Sequence, residues 1–202
     1  SMKVAEKALN DTQLKAYFSG TISARYVENF ENIQAKQAIV SIEDKSALDI
    51  GSSTGGFTQI LLNNDIGNVT CVDVGSNQLH ESLKHDKRII FHENCDIRDF
   101  SKEHVFDIVT CDVSFISIHN ILNVMNILCN DVIIILFKPQ FEVGINVKRD
   151  KKGVVQDTKA IQNARELFLE ATSKLNWNLK HSAMSKIQGK NGNHEELFYF
   201  KR

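Results

Sequence analysis

Two apolar runs in this chain each end on a residue that can handle a proton. Val109-Thr110-Cys111-Asp112-Val113-Ser114-Phe115 leads into an acid, and Ile135-Leu136-Phe137-Lys138-Pro139-Gln140-Phe141-Glu142 leads into a lysine. If both runs are strands of one parallel sheet, neighbours lie about 4.8 Å apart. Asp112 and Lys138 would then share a cleft at the carboxyl ends of the strands, where open α/β sheets collect their ligands. A pair placed there can orient a hydroxyl and take its proton. The plainer alternative is a surface ion pair, which contributes little.

A glycine loop supplies the second chemical signal. Ala47-Leu48-Asp49-Ile50-Gly51-Ser52-Ser53-Thr54-Gly55-Gly56-Phe57 reads as a strand, a loop of small residues and the start of a helix. Small residues let a ligand approach the backbone, and a helix start offers unpaired N–H groups. Dinucleotides favour G-x-G-x-x-G, so that the pyrophosphate can rest on the helix N-terminus. Here the pattern is G-x-x-x-G-G, with Ser53 in place of the second glycine. Asp49 ahead of Gly51 also suits S-adenosylmethionine, which has no pyrophosphate and whose ammonium an acid can receive. The next apolar run ends in Asp73 and Val74, about twenty residues after Gly51, the distance at which an acid meets ribose hydroxyls. After the third run, Asp96 and Ile97 could meet the adenine, with Asp96 accepting from its exocyclic amine and Asp99 as the alternative acid. The candidate cofactor wall is therefore Asp49, Gly51, Ser52, Ser53, Gly55, Gly56, Phe57, Asp73, Val74, Asp96, Ile97 and Asp112. Its plain counterpart is a tight turn with solvated or locally capping aspartates.

These residues need a scaffold, and the hydrophobic pattern provides one. Strand-like runs occur at 46–51, 68–74, 88–92, 105–112 and 131–137, near-continuously apolar as in strands covered on both faces. Helical segments are expected at 55–64, 77–84 and 116–128. A longer helix should begin at an Asp157 cap, with Ile161, Ala164, Phe168, Ala171 and Leu175 on its apolar face. Two further strands, 177–185 and 194–200, should form a hairpin around Gly189-Lys190-Asn191-Gly192-Asn193. Pro139 should end the most apolar strand. Alternating strands and helices predict an α/β, Rossmann-like, mostly parallel seven-stranded sheet with one antiparallel strand near an edge. Residues 1–45 are polar and only weakly periodic. They read as an N-terminal helical extension to a main domain over 46–202.

Composition narrows the classes. The chain has 202 residues, 42% hydrophobic and 24% charged, with a net charge of −1, which leaves room for one ordinary globular domain and excludes a strongly basic coat. A local basic patch remains open, and Lys148, Arg149, Lys151 and Lys152 are its best candidate for phosphate contact, diluted by Asp150. Lys84, Lys87 and Arg88 form a weaker group. Apolar runs are too short to span a bilayer, so no membrane partner is expected. Cys71, Cys95, Cys111 and Cys129 have no metal or disulfide spacing, which fits a cytoplasmic chain, and no metal site is expected.

Taken together, Asp49–Thr58, Val72–Leu79, Cys111–Ser117 and Phe137–Gly144 resemble the haemolysin-A-type (TlyA) branch of the FtsJ-like ribosomal RNA 2′-O-methyltransferases. Lys151–Val155 and Gly189–Glu195 match it too, so the resemblance runs from about residue 46 to the end. It implies an S-adenosylmethionine-dependent enzyme that methylates ribose 2′-hydroxyls, typically of cytidine, in ribosomal RNA or ribosomal subunits. The family's Lys-Asp-Lys-Glu tetrad would put Asp112 at the aspartate, Lys138 at the second lysine and Glu195 at the glutamate. Lys138 would take the proton, Asp112 would orient the hydroxyl, and Glu195 would hold the lysines. The first lysine has no match: Ala24 stands at its position, with Arg25 beside it. No counterpart of the family's S4-type RNA-binding domain is seen here either, so weak substrate affinity is the expectation. The missing lysine raises a rival reading, a catalytically impaired RNA- or cofactor-binding protein. Ser53 disfavours a dinucleotide oxidoreductase. Membrane lysis, which the haemolysin label implies, finds no spanning run or cationic amphipathic helix.

Overall fold

The computed structural model describes residues 21–25, 40–43, 45–101, 103–187, 189 and 192–202. The chain forms two compact units, 1–44 and 45–202. In the first, β1 (Thr21–Arg25) pairs antiparallel with β2 (Val40–Glu43), with an irregularity between Ile22 and Ala24. At these positions the backbone is strand, which corrects the helical expectation for Ile22. The other helical positions expected before residue 45 lie outside the described residues.

The second unit is built on the expected apolar runs. They form β3 (Ser46–Ile50), β4 (Asn68–Val72), β5 (Ile89–His92), β6 (Phe106–Cys111), β7 (Cys129–Phe137), β8 (Asn178–Met184) and β9 (Glu196–Lys201). Their order across the sheet is β5-β4-β3-β6-β7-β9-β8. The strands from β5 to β7 run parallel, and β9 runs against both of its neighbours. Strand order therefore reverses between β3 and β6, and a crevice opens at their carboxyl ends. Asp49 pairs in register with Thr110 on one side and Cys71 on the other. Two further backbone bonds, Gly51 N–H to Val72 O (2.8 Å) and Asp112 N–H to Ile50 O (2.9 Å), carry the ladders past the strand ends.

Helices cover the faces. They are α1 (Gly56–Asn63), α2 (Glu81–Lys84), α3 (Leu122–Leu128), α4 (Pro139–Glu142) and α5 (Thr158–Lys174). Asp157 caps α5 by accepting from the Ala160 N–H at 2.9 Å, as its position suggested. Ala164 and Phe168 of α5 are buried, while Ala171 and Leu175 pack against the core. Pro139 occupies the first turn of α4, directly after β7, and α4 completes the stop that proline imposes. The helix expected over 77–84 shrinks to α2. Asn77 takes a left-handed backbone (φ 53) and donates its N–H to the Glu93 carboxylate, which a helix interior forbids. The segment 116–128 is also divided. A 3₁₀ turn (Ile118–Asn120), capped by Ser117, precedes α3.

Phe137, Phe168, Phe198 and Phe200 are fully buried, with neighbouring ring centroids 5.1–6.1 Å apart. Trp177 extends the cluster and donates its indole N–H to Asn126 at 2.9 Å. This aromatic core lies directly behind Lys138, the residue after Phe137. Cys71 and Cys111 are buried small side chains, and burial pushes their thiols up to about 11 and about 12.

Candidate active site

The crevice begins where β3 ends. Gly51 has φ +73, and a Cβ there would lie 2.7 Å from the Asp112 carbonyl oxygen, so only glycine permits this approach of the β3 and β6 ends. Gly55 (φ +95) is the N-cap of α1. A Cβ there would overlap the Leu79 and Leu83 side chains, so it serves packing and lines neither cavity described below. Asp73 holds the loop from the side. Its Oδ2 accepts from Ser53 N–H at 2.8 Å and its Oδ1 from Gly75 N–H at 2.7 Å. Each oxygen keeps a second lone pair for a ligand hydroxyl.

Beneath the loop, Asp49 is buried and receives two hydroxyls, Thr58 at 2.6 Å and Thr110 at 2.8 Å. Burial raises its carboxyl above the usual range, and the two threonines draw it partly back. The sequence reading gave this carboxylate to a ligand ammonium. In the structure it ties β3, α1 and β6 together and also lines the second of the cavities described below. Thr58 and Thr110 were missed, although Thr110, a hydroxyl opposite Asp49 in the neighbouring strand, is a legible signal.

Two cavities meet over this loop. One, of about 280 Å³, has Asp73, Val74, Asp96 and Ile97 on one side and Asp112, Ser114 and Phe115 on the other. The second, of about 300 Å³, is lined by Asp49, Ser52, Gly56 and Phe57. Gly51, Ser53 and Asp112 border both. This shape suits a ligand with two arms joined at Asp112: an apolar-walled pocket with an acid, Asp73, for one, a glycine-lined groove for the other. Arg98 contacts Asp96 at 2.9 and 2.6 Å and holds its carboxyl down to about 2, and Asp96 lines the first cavity beside Ile97.

At the junction, Lys138 Nζ lies 2.6 Å from Asp112 Oδ1 and donates to Ser114 Oγ at 2.9 Å. The Lys138 side chain is only 12% exposed, which makes this more than a solvated surface pair. Glu142 stitches the two segments together. Its carboxylate accepts from Ser117 Oγ at 2.7 Å and Ile118 N–H at 2.9 Å. The sequence reading gave neither Ser114 nor Glu142 a role. Glu195 is buried nearby, but it accepts from Gln140 Nε2 at 2.8 Å, and among the described residues no ion pair joins it to Lys138. Its expected role of holding the lysine passes to Asp112 and Ser114.

A family model described as FtsJ-like methyltransferase matches residues 24–202. The chain belongs to the FtsJ-like methyltransferase family. The match reaches back to Ala24, ahead of residue 46 where the run of resembling motifs starts. Among curated relatives, the 23S rRNA (cytidine-2′-O)-methyltransferase TlyA of Campylobacter jejuni is 55% identical over 161 residues, covering 80% of this chain and 64% of that protein. Hemolysin A of Brachyspira hyodysenteriae is 35% identical over 171 residues, covering 80% of this chain and 69% of its own length. A solved structure from Streptococcus thermophilus, named provisionally as a hemolysin, superposes with a TM-score of 0.73 at 33% identity, over 80% of this chain and 60% of that one. The chain thus spans less than two thirds of the first of these relatives.

Within this FtsJ-like domain the basic segment needs one correction. Lys148, Lys151 and Lys152 are exposed. Arg149 instead turns inward and donates to the carbonyls of Gln140, Gly144, Ile145 and Val147 at 2.8–3.3 Å. A guanidinium so engaged staples the loop after α4 and is withdrawn from phosphate. Among the described residues, no helix is long and apolar enough to cross a membrane, and no cluster of His, Cys, Asp and Glu could hold a metal.

Proposed function

We propose that this protein is an enzyme that transfers a methyl group from S-adenosylmethionine to a ribose 2′-hydroxyl, of cytidine, in ribosomal RNA. The observation that carries the reading is the Asp112–Lys138 pair at the junction of the two cavities. Asp73 would hold the ribose hydroxyls of the cofactor, the pocket over Val74 and Ile97 its adenine, and the groove over Ser52 and Gly56 its amino-acid end. Bound there, S-adenosylmethionine supplies an electrophilic methyl on a sulfonium and keeps the sulfur's electron pair on departure. Asp112 orients the incoming hydroxyl and Lys138 removes its proton. Displacement of this kind depends on alignment rather than on covalent help.

The exposed lysines 148, 151 and 152 suit a phosphate backbone. Phe115 adds a stacking surface. It is 93% exposed, holds a left-handed backbone (φ 67) and lies 5.3 Å from the Phe141 ring. Base stacking on an aromatic side chain contributes about 1–3 kcal/mol. Ribosomal RNA as substrate implies a cytoplasmic protein.

The test is methyl transfer from labelled S-adenosylmethionine to ribosomal subunits, with nucleoside mass spectrometry of the product. Formation of 2′-O-methylcytidine is expected; methylation of a base, or none, defeats the reading. Phe115→Ala should lower kcat/KM for RNA by about 10- to 100-fold, a larger loss than any in cofactor affinity. An unchanged kcat/KM would remove the stacking role. Asp73→Ala should weaken S-adenosylmethionine binding by about 10- to 100-fold in calorimetry, because charge-assisted hydrogen bonds are lost. An unaltered dissociation constant would dismiss the ribose contact.

A further inference from the structure

We propose that Gln78 is a specificity-determining residue of the cofactor site, whose side-chain amide donates to the ribose diol from which Asp73 accepts. The inference rests on the function proposed above and deepens it.

Asp73 and Gln78 both line the first cavity. A Cβ on Gly75 would lie 1.9 Å from Gln78 Nε2 and 3.1 Å from Asp73 Oδ1, so the amide and the carboxylate flank one small gap over this glycine. Gly75 is not among the glycines with positive φ, so its backbone would admit another residue. What its missing side chain supplies is space, and the Gln78 amide fills it.

The chain holds Gln78 there from both sides. Asn77 turns in a left-handed backbone (φ 53) and gives its N–H to the Glu93 carboxylate at 2.7 Å. Leu79 is buried and packs where a side chain on Gly55 would stand. His80 N–H reaches the Thr54 carbonyl of the glycine loop at 3.2 Å. With the backbone anchored on either side, little more than side-chain freedom is lost when the amide takes a partner.

The chemistry of the two groups is complementary. A carboxylate only accepts hydrogen bonds, whereas an amide nitrogen donates them. Each ribose hydroxyl has one hydrogen to give and an oxygen able to receive. Asp73 can take the hydrogens on the lone pairs that the Ser53 and Gly75 N–H groups leave, but it has nothing to offer the oxygens. Gln78 supplies that donor. A sugar without the hydroxyl that Gln78 serves leaves the amide unmatched, so the pair selects a ribose over a deoxyribose.

The experiment is calorimetry on the full chain with S-adenosylhomocysteine and its 2′-deoxy and 3′-deoxy analogues. Gln78→Ala should weaken binding of S-adenosylhomocysteine by about 3- to 10-fold, the value of one hydrogen bond. The penalty for at least one of the two missing hydroxyls should shrink by the same factor. An unchanged affinity, or an equal loss for the parent compound and both analogues, would overturn the proposal, because a merely structural role treats all three alike. Gly75→Ala should reproduce the loss by displacing the amide. Added to Gln78→Ala, it should cost less than about twofold more, since both changes act through one contact. A full further loss would mean that the methyl group acts on Asp73, and would overturn the proposal as well. Failure of the unaltered protein to bind S-adenosylhomocysteine at all would instead defeat the cofactor assignment on which this rests.

Discussion

Replacing Lys138 with methionine is expected to cut the rate of methyl transfer by about 10²–10⁴-fold, the usual contribution of a positioned general base. The expectation has three physical parts. First, Nζ is placed: it lies 2.6 Å from Asp112, which borders both cavities, and donates to Ser114 at 2.9 Å. Second, it is sheltered, with 12% of its side chain exposed and the rigid pair Phe137 and Pro139 on either side. Third, it lines neither cavity, so cofactor affinity should survive the change. Methionine keeps the length and removes the nitrogen, which limits damage to packing. Lys138→Arg then separates charge from proton transfer. Arginine can still pair with Asp112 but is a poor proton acceptor. Single-turnover rates with saturating cofactor should be nearly as low for arginine as for methionine. A fast arginine variant would mean that Lys138 acts only as a positive charge, and a fast methionine variant would remove it from the chemistry.

The strands that carry this site were legible because burial on both faces writes itself as consecutive apolar residues. Val132–Phe137 and Val69–Val72 can hardly be anything else, and Gly51, Asp73, Asp112 and Lys138 inherit their places from those strand ends. Charge was harder to read. Arg149 and Asp96 look like ligand contacts in a sequence, where only the charge is visible. In the structure Arg149 is taken up by four carbonyls, whereas Asp96 pairs with Arg98 and still lines the first cavity. Helix ends were also obscure. The positive φ at Phe115 reflects the tertiary setting and not the residue type, whereas asparagine, as at Asn77, adopts it readily; both cut the helices shorter than periodicity suggested. Ser114 and Glu142 escaped for the same reason. Their meaning lies in what faces them across the crevice.

The aromatic core behind Lys138 offers the largest expected effect on stability. Phe168→Ala should destabilise the protein by about 3–5 kcal/mol, the range for truncating a buried phenylalanine. Phe168 is fully buried on α5 and touches three other rings, Phe137, Phe198 and Phe200, with centroids 5.1–5.9 Å away. Those rings come from β7 and β9, so the truncation opens space between the helix and two strands, which the sheet cannot close without breaking its ladder. Urea unfolding followed by far-ultraviolet circular dichroism should show a lower midpoint at an unchanged slope. Phe115→Ala is the matched control. It removes the same side chain from a position 93% exposed and should shift stability by no more than about 0.5 kcal/mol. Because Phe137 carries Lys138 at its carboxyl side, Phe168→Leu, with its smaller loss, should also lower methyl transfer more than cofactor binding. A Phe168→Ala protein within about 1 kcal/mol of the original would mean that the core relaxes around the gap, contrary to close packing.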